Sequence, residues 1–309
     1  MTRFGDFEPL CHHVPSYPWC NLFYRQLLKS DPSQLTGLSA DRSSAPVGID
    51  PTCGIPLVNK DGSLGNIANI IACGLSMLVV AWLVLSTGRR KAAVGRAELQ
   101  IFLIIYFFTL PFQLLTTGSV LEQGTTGLVV LTAIHAGLLA ALFWSLFANA
   151  IVATQVVEDG TLSSLIPFNI FNVLFFVATT YISLDVALHI SNAFGPSNPP
   201  QSLNSVPLFV LTSVWPAAAA FIYFVLMAYI VLGILRERRP MLFFGFAAVL
   251  FILSQLDYFL LSKVICKSND KVDGSFIATI LETASVVVIY FGWISITEED
   301  WEDDNNRYP

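Results

Sequence analysis

Gly88-Arg89-Arg90-Lys91-Ala92-Ala93-Val94-Gly95-Arg96-Ala97-Glu98 sets four basic residues between two long apolar runs. Lys and Arg are held back on the cytosolic side when neighbouring segments insert into a bilayer, and short loops beside a span follow this bias best. The stretch therefore reads as a cytosolic loop between two transmembrane helices. Everything before and after it is oriented from this point.

The 309 residues are 54% hydrophobic and 12% charged, with a mean hydropathy of +0.65. A soluble domain of this size cannot hide so much apolar surface in one core, and the excess belongs to lipid. The formal net charge is -6, and six acids (Glu298, Glu299, Asp300, Glu302, Asp303 and Asp304) sit together near the C-terminus. The remainder is close to neutral, and no basic face suggests nucleic acid. Met1 to Trp19 shows no positive patch followed by an apolar run, so no cleavable signal peptide is expected and the first span directs insertion.

Residues 1–63 are polar, rich in Pro and Ser, and carry Cys11, Cys20 and Cys53. Seven apolar runs follow near 66–87, 99–118, 127–153, 164–190, 207–235, 241–262 and 275–296. Each is long enough to cross a ~30 Å hydrocarbon layer, which takes roughly 20 residues. The expected fold is an all-α bundle of seven transmembrane helices over 64–296, with a luminal N-terminal segment and an acidic cytosolic tail over 297–309. Arg236, Arg238 and Arg239 close the fifth span on the cytosolic side, and the loops at 119–126 and 191–206, placed in the lumen, contain no Lys or Arg. Lys263, Lys267 and Lys271 run against the pattern and are outweighed by the two basic cytosolic loops.

The same topology places Cys11, Cys20, Cys53 and Cys266 in an oxidising lumen, with Cys73 inside the first span. Those four are disulfide candidates, and three pairings are open. A metal site on Cys11, His12 and His13 lacks a second ligand pair at finger-like spacing. Ionisable groups inside a bilayer are costly and call for a partner or a role. The candidates are His135, Asp185, His189, Asp257 and Glu282. Glu282 lies seven residues past Ser275 and His135 eight past Gly127, roughly 10 to 12 Å deep at about 1.5 Å per residue. All five fall in the luminal half, as a polar cavity or as pairs that specify packing.

Seven spans invite comparison with receptors. The last span has no Lys for a retinal Schiff base, and the Asp-Arg-Tyr and Asn-Pro-X-X-Tyr patterns of rhodopsin-like receptors are missing. No catalytic motif, nucleotide loop or metal signature occurs, so neither an enzyme nor a cofactor is expected. A ligand-binding protein that uses the luminal cluster is the alternative function.

Several short stretches lie in order along the chain: Phe4-Gly5-Asp6-Phe7 with Cys11 and Cys20, Gly95-Arg96-Ala97-Glu98, Glu158-Asp159-Gly160-Thr161, Ile265-Cys266, Asp273-Gly274-Ser275-Phe276, and the acidic tail after Trp293. Together they resemble the fungal chitin synthase export chaperones over nearly the whole chain. The resemblance implies a multi-pass endoplasmic reticulum protein that assists folding or export of a chitin synthase client. It would serve cell-wall chitin deposition without performing the polymer chemistry. A client's helices would need a surface to pack on, and Ala217 to Ala220 in the fifth span and Gly137, Ala140 and Ala141 in the third supply small residues for close approach. Glu298 and Asp300 form an acid-X-acid pattern of the kind read by vesicle-coat export machinery. A solvated charge run is the alternative.

Overall fold

The computed structural model describes residues 3–35, 49, 66–90, 93–118, 120–195, 197, 199, 202–268 and 272–297. Lys91, Cys53, Glu298 and Asp300 lie outside the described residues.

Among the described residues, seven helices are long and apolar enough to cross a membrane. Two short helices precede them, α1 (Glu8–His13) and α2 (Tyr24–Ser30), joined through a 3-10 turn over Pro18–Leu22. The seven are α3 (Ile67–Arg89), α4 (Arg96–Thr117), α5 (Thr126–Ala153), α6 (Leu162–Leu188), α7 (Val206–Ile234), α8 (Arg239–Ser268) and α9 (Ser275–Thr297). An apolar segment in lipid must satisfy its own backbone groups, so each forms a helix regardless of local propensity. Sequence boundaries agree to within a few residues, with two informative shifts. α4 begins at Arg96, because Gly95 adopts φ +67° and starts the helix there. α8 continues to Ser268 through a π-helical stretch, Asp257–Leu261, so Lys263 and Lys267 ride on the helix.

α5 is the axis of the bundle. It packs on α4, α6 and α7, and a second group is formed by α8 on α9, α9 on α3 and α3 on α4. α7 and α8 meet over a short stretch only. Over its most apolar window α5 is 61% buried and α6 only 17%, so α6 lies outside the ring against α5. The α5–α6 contact is close: a Cβ on Gly137 would sit 2.7 Å from the Phe176 carbonyl oxygen. Ala140 and Ala141 are buried too. The small residues of the third span are therefore consumed inside the bundle. In α7, Ala219 and Ala220 are buried, whereas Ala217 and Ala218 are exposed.

The N-terminal segment is a folded cap on one end of the bundle. Phe7, Tyr17, Trp19, Phe23, Tyr24 and Leu27 are buried in a second core with Val129, Ala136, Val186 and Leu208 of the spans. Gly5 (φ +84°) lies against Val206, and the Phe7 amide donates to the Leu203 carbonyl at 3.1 Å. A disulfide joins Cys11 to Cys20 across this cap. Cys266 is also disulfide-bonded, and Cys73 is a buried free thiol.

Candidate functional site

Two places concentrate the polar side chains, one at each end of the bundle. Beneath the cap, a cavity of about 360 Å³ lies between α4, α5, α7, α8 and α9. Trp19 and Tyr17 roof it, and Glu282 and His135 line it from α9 and α5. A smaller chamber of about 90 Å³ continues inward past the same two residues toward Tyr106. Asn21 reaches from the cap to donate to the Thr116 carbonyl (3.2 Å) and to the Thr132 hydroxyl (3.3 Å), and Tyr258 donates to the Ser16 carbonyl (2.9 Å). Burial pushes the Tyr17 phenol above its usual range, partly offset by a hydrogen bond with Ser213.

Inside the cavity the hydrogen-bond roles are determined by their partners. The Thr116 hydroxyl donates to the Phe112 carbonyl at 2.7 Å, so at 3.0 Å from His135 Nδ1 it acts as acceptor. This assigns the proton to Nδ1 and leaves Nε2 as an acceptor. Gln255 donates through Nε2 to Glu282 Oε1 (3.0 Å) and to Ser254 (3.2 Å). Beside the cavity, a polar seam ties α3, α4 and α9. Asn69 donates to Thr117 (2.8 Å) and accepts from Thr279 (2.9 Å), Gln113 donates to Thr279 (2.9 Å), and Thr283 joins Ser76 and Tyr106. Sequence reading passed over this seam. Its signal was there: Ser275, Thr279 and Thr283 recur every four residues and share one helix face.

Of the five ionisable residues expected in the spans, the structure brings His135 and Glu282 together at the cavity. Asp257 sits a turn away, against Gly274, whose Cβ position would be 3.0 Å from its Oδ2. The neighbouring Asp273 lies outside the spans, and burial raises its carboxyl, although Ser16, Ser275 and Asn66 hydrogen-bond to it. Asp185 turns toward its own loop, accepting from the Ser191 and Phe194 amides and from the Ser191 hydroxyl. His189 ends α6 at φ +56°, and burial, followed by the nearby Lys29 charge, lowers its imidazole. Neither joins the cavity lining. Among the described residues no cluster is placed to hold a metal ion, and Cys11 is spent in its disulfide.

At the opposite end, two of the quoted stretches lock into each other. The Gly95 amide donates to Asp159 Oδ2 at 2.8 Å, and the Gly160 amide donates to Glu98 Oε1 at 3.0 Å. Ser164 adds a 2.6 Å bond to the same Glu98 oxygen, and Asn149 donates to the Glu98 carbonyl at 3.3 Å. Trp293 closes the group from α9 with a 2.8 Å bond to the Val94 carbonyl. Glu98 is fully buried, and its Oε1 is held by a backbone donor and a hydroxyl donor. Arg96 bonds the Gly88 carbonyl at 3.4 Å, while Arg89 and Glu158 are exposed. The clasp fastens the α3–α4 loop to the α5–α6 loop and to the last span.

A family model described as chitin synthase export chaperone matches residues 3–306, which takes in the cap, the seven spans and the clasp. The chain belongs to the chitin synthase export chaperone family. A protein of that name from Chaetomium globosum is 30% identical over 303 residues, covering 97% of this chain and 84% of the relative. Those of Gibberella zeae and Phaeosphaeria nodorum are 29% identical over 306 residues and 27% over 300, covering 98% and 97% of this chain and 84% of each relative. Membership in the chitin synthase export chaperone family agrees with the helical membrane architecture and favours it over a receptor. The family name describes a chaperone, which is not a catalyst's role.

Proposed function

We propose that this chain works in the endoplasmic reticulum membrane as a chaperone without enzymatic activity, binding a newly made chitin synthase and releasing it for export. The match of the family over residues 3–306 carries this reading. Two chemical features support an orientation with the cap in the lumen. The Cys11–Cys20 disulfide suits an oxidising compartment, and Arg89, Arg90 and Arg96 at the clasp end suit the cytosol. A client helix would approach α7 at Ala217 and Ala218, where small exposed side chains permit close backbone contact. Glu298 and Asp300 would then be offered to vesicle-coat machinery on the cytosolic side. The chain thereby supports cell-wall chitin deposition through delivery of the synthase.

The test is the location of tagged chitin synthases in cells with and without this protein. One synthase is expected to stay in the endoplasmic reticulum when the protein is missing, while unrelated membrane cargo leaves normally. Normal delivery of every synthase would overturn the reading.

A further inference from the structure

We propose that the cavity beneath the cap binds the ammonium end of a membrane-partitioned amine, an amphiphile that enters from the lipid between α7 and α8. The inference stands apart from the identity of any protein client.

The size of the cavity, about 360 Å³, falls in the range of small-molecule sites, roughly 300–1,000 Å³. Three of its polar side chains present acceptors, alongside Tyr17, Trp19 and Ser213, which carry donors. Both N–H groups of Gln255 are committed, to Glu282 and Ser254, so its amide oxygen remains as an acceptor. His135 has its proton on Nδ1, engaged by Thr116, which leaves the Nε2 acceptor on the cavity side. Glu282 has a second carboxyl oxygen beyond the one that Gln255 engages, and a carboxyl supplies acceptors for a cation. Among the described residues no Lys or Arg lines the space. A guest that brings donors matches Gln255, His135 and Glu282, and one with positive charge gains most against the ionised Glu282 carboxyl, because that attraction acts in a poorly screened interior. Trp19 and Tyr17, which roof the cavity, add aromatic faces that attract cations.

The way in is lateral. Ala217 and Phe259 line the cavity and are both exposed, Phe259 by 37%. They lie on α7 and α8, the neighbouring spans that meet over only a short stretch. Each of these helices carries a π-helical segment beside the opening, Val210–Val214 and Asp257–Leu261, and such widened turns often mark functional positions. The alkyl chain of the guest would leave through this gap into hydrocarbon, with the ammonium on Glu282.

The test uses the full chain in mild detergent near pH 7, with thermal unfolding followed against dodecylamine, dodecanol and dodecanoate at matched mole fraction in the micelle. Dodecylamine is expected to raise Tm saturably with at least about tenfold tighter apparent binding than dodecanol, and dodecanoate to give no stabilisation. Glu282→Gln still accepts from Gln255 and is expected to lower amine binding to the level of the alcohol. Ala217→Trp, at the outer opening, is expected to weaken amine binding while the cap stays folded, which keeps the test decisive if the Glu282 variant does not fold. Butylamine separates the sources: a response equal to that of dodecylamine would assign the site to a soluble amine and overturn entry from lipid. Equal stabilisation by amine, alcohol and carboxylate, no stabilisation by any, or an amine effect undiminished in both variants would overturn the proposal.

Discussion

The carboxylate of Glu98, in the first turn of α4, accepts the backbone N–H of Gly160 at 3.0 Å across 62 residues of sequence. Asp159 returns the contact by accepting from Gly95. Two loops from separate helix pairs thus hold each other by exchanging one amide and one carboxylate each.

This exchange makes Glu98 a sensitive position. Glu98→Ala leaves the Gly160 amide and the buried Ser164 hydroxyl without their acceptor, and the loss is expected to be about 2–4 kcal/mol, since each bond to a charged group contributes roughly 1.5–3. Glu98→Gln keeps an acceptor and should lose less than half as much. Thermal unfolding in detergent compares the two, and equal stability of Glu98→Ala and the parent chain would show that the clasp is not structural. Arg89→Gln, at an exposed residue, is expected to leave the unfolding temperature unchanged.

The cap should depend on its disulfide. Cys11 and Cys20 close a short loop (sequence separation 9) over buried Trp19 and Tyr17, and removing such a link costs about 2–3 kcal/mol in the chain-entropy picture. Cys11→Ser is expected to lower the unfolding temperature and to expose the cap to protease. Non-reducing peptide mapping should recover Cys11 joined to Cys20, Cys266 in a linked peptide and Cys73 as a thiol that reacts only after unfolding. A freely reactive Cys11 in the folded protein would contradict the arrangement.

Asp273 gives the cap end a pH dependence of predictable sign. Burial raises its carboxyl in the folded chain above the ordinary value of about 3.9. The folded state therefore holds the proton more tightly than the unfolded state. This contribution to stability is full below about pH 4 and is lost as the pH rises through the folded-state value. Asp273→Asn, which cannot ionise, is expected to flatten the decline in unfolding temperature between pH 4 and 8. Identical profiles for the two proteins would remove Asp273 as its source, with Asp257 the next group to replace.

The orientation is testable with single cysteines at exposed loop positions. Ala193, at the cap end, and Glu158, at the clasp end, are both exposed. In sealed microsomes a membrane-impermeant thiol reagent is expected to label Glu158→Cys at once and Ala193→Cys only after detergent is added. The reverse pattern would invert the topology and place the basic loop in the lumen.

Seven spans, their order and the basic loop between the first two were legible from residues 66–297 alone. An apolar run long enough to cross the bilayer has one way to satisfy its backbone, so its length and hydropathy decide its structure without reference to neighbours. The paired stretches around Glu98 and Asp159 were legible only as separate motifs. Nothing in one dimension said that they touch.

What only the tertiary structure decided is the direction in which each helix faces. A helix that is apolar all round carries no stripe to mark its buried side, so its rotation is set by what packs against it. For that reason Gly137, Ala140 and Ala141 could be read equally as an outer surface or an inner one, and close contact with α6 made them inner. For the same reason His135 and Glu282 share a cavity while Asp185, near the end of α6, turns to its own loop. The sequence determined which segments lie in the membrane, because transfer to lipid is a property of each segment by itself. Packing determined which of their few polar groups meet, because that depends on all seven segments at once.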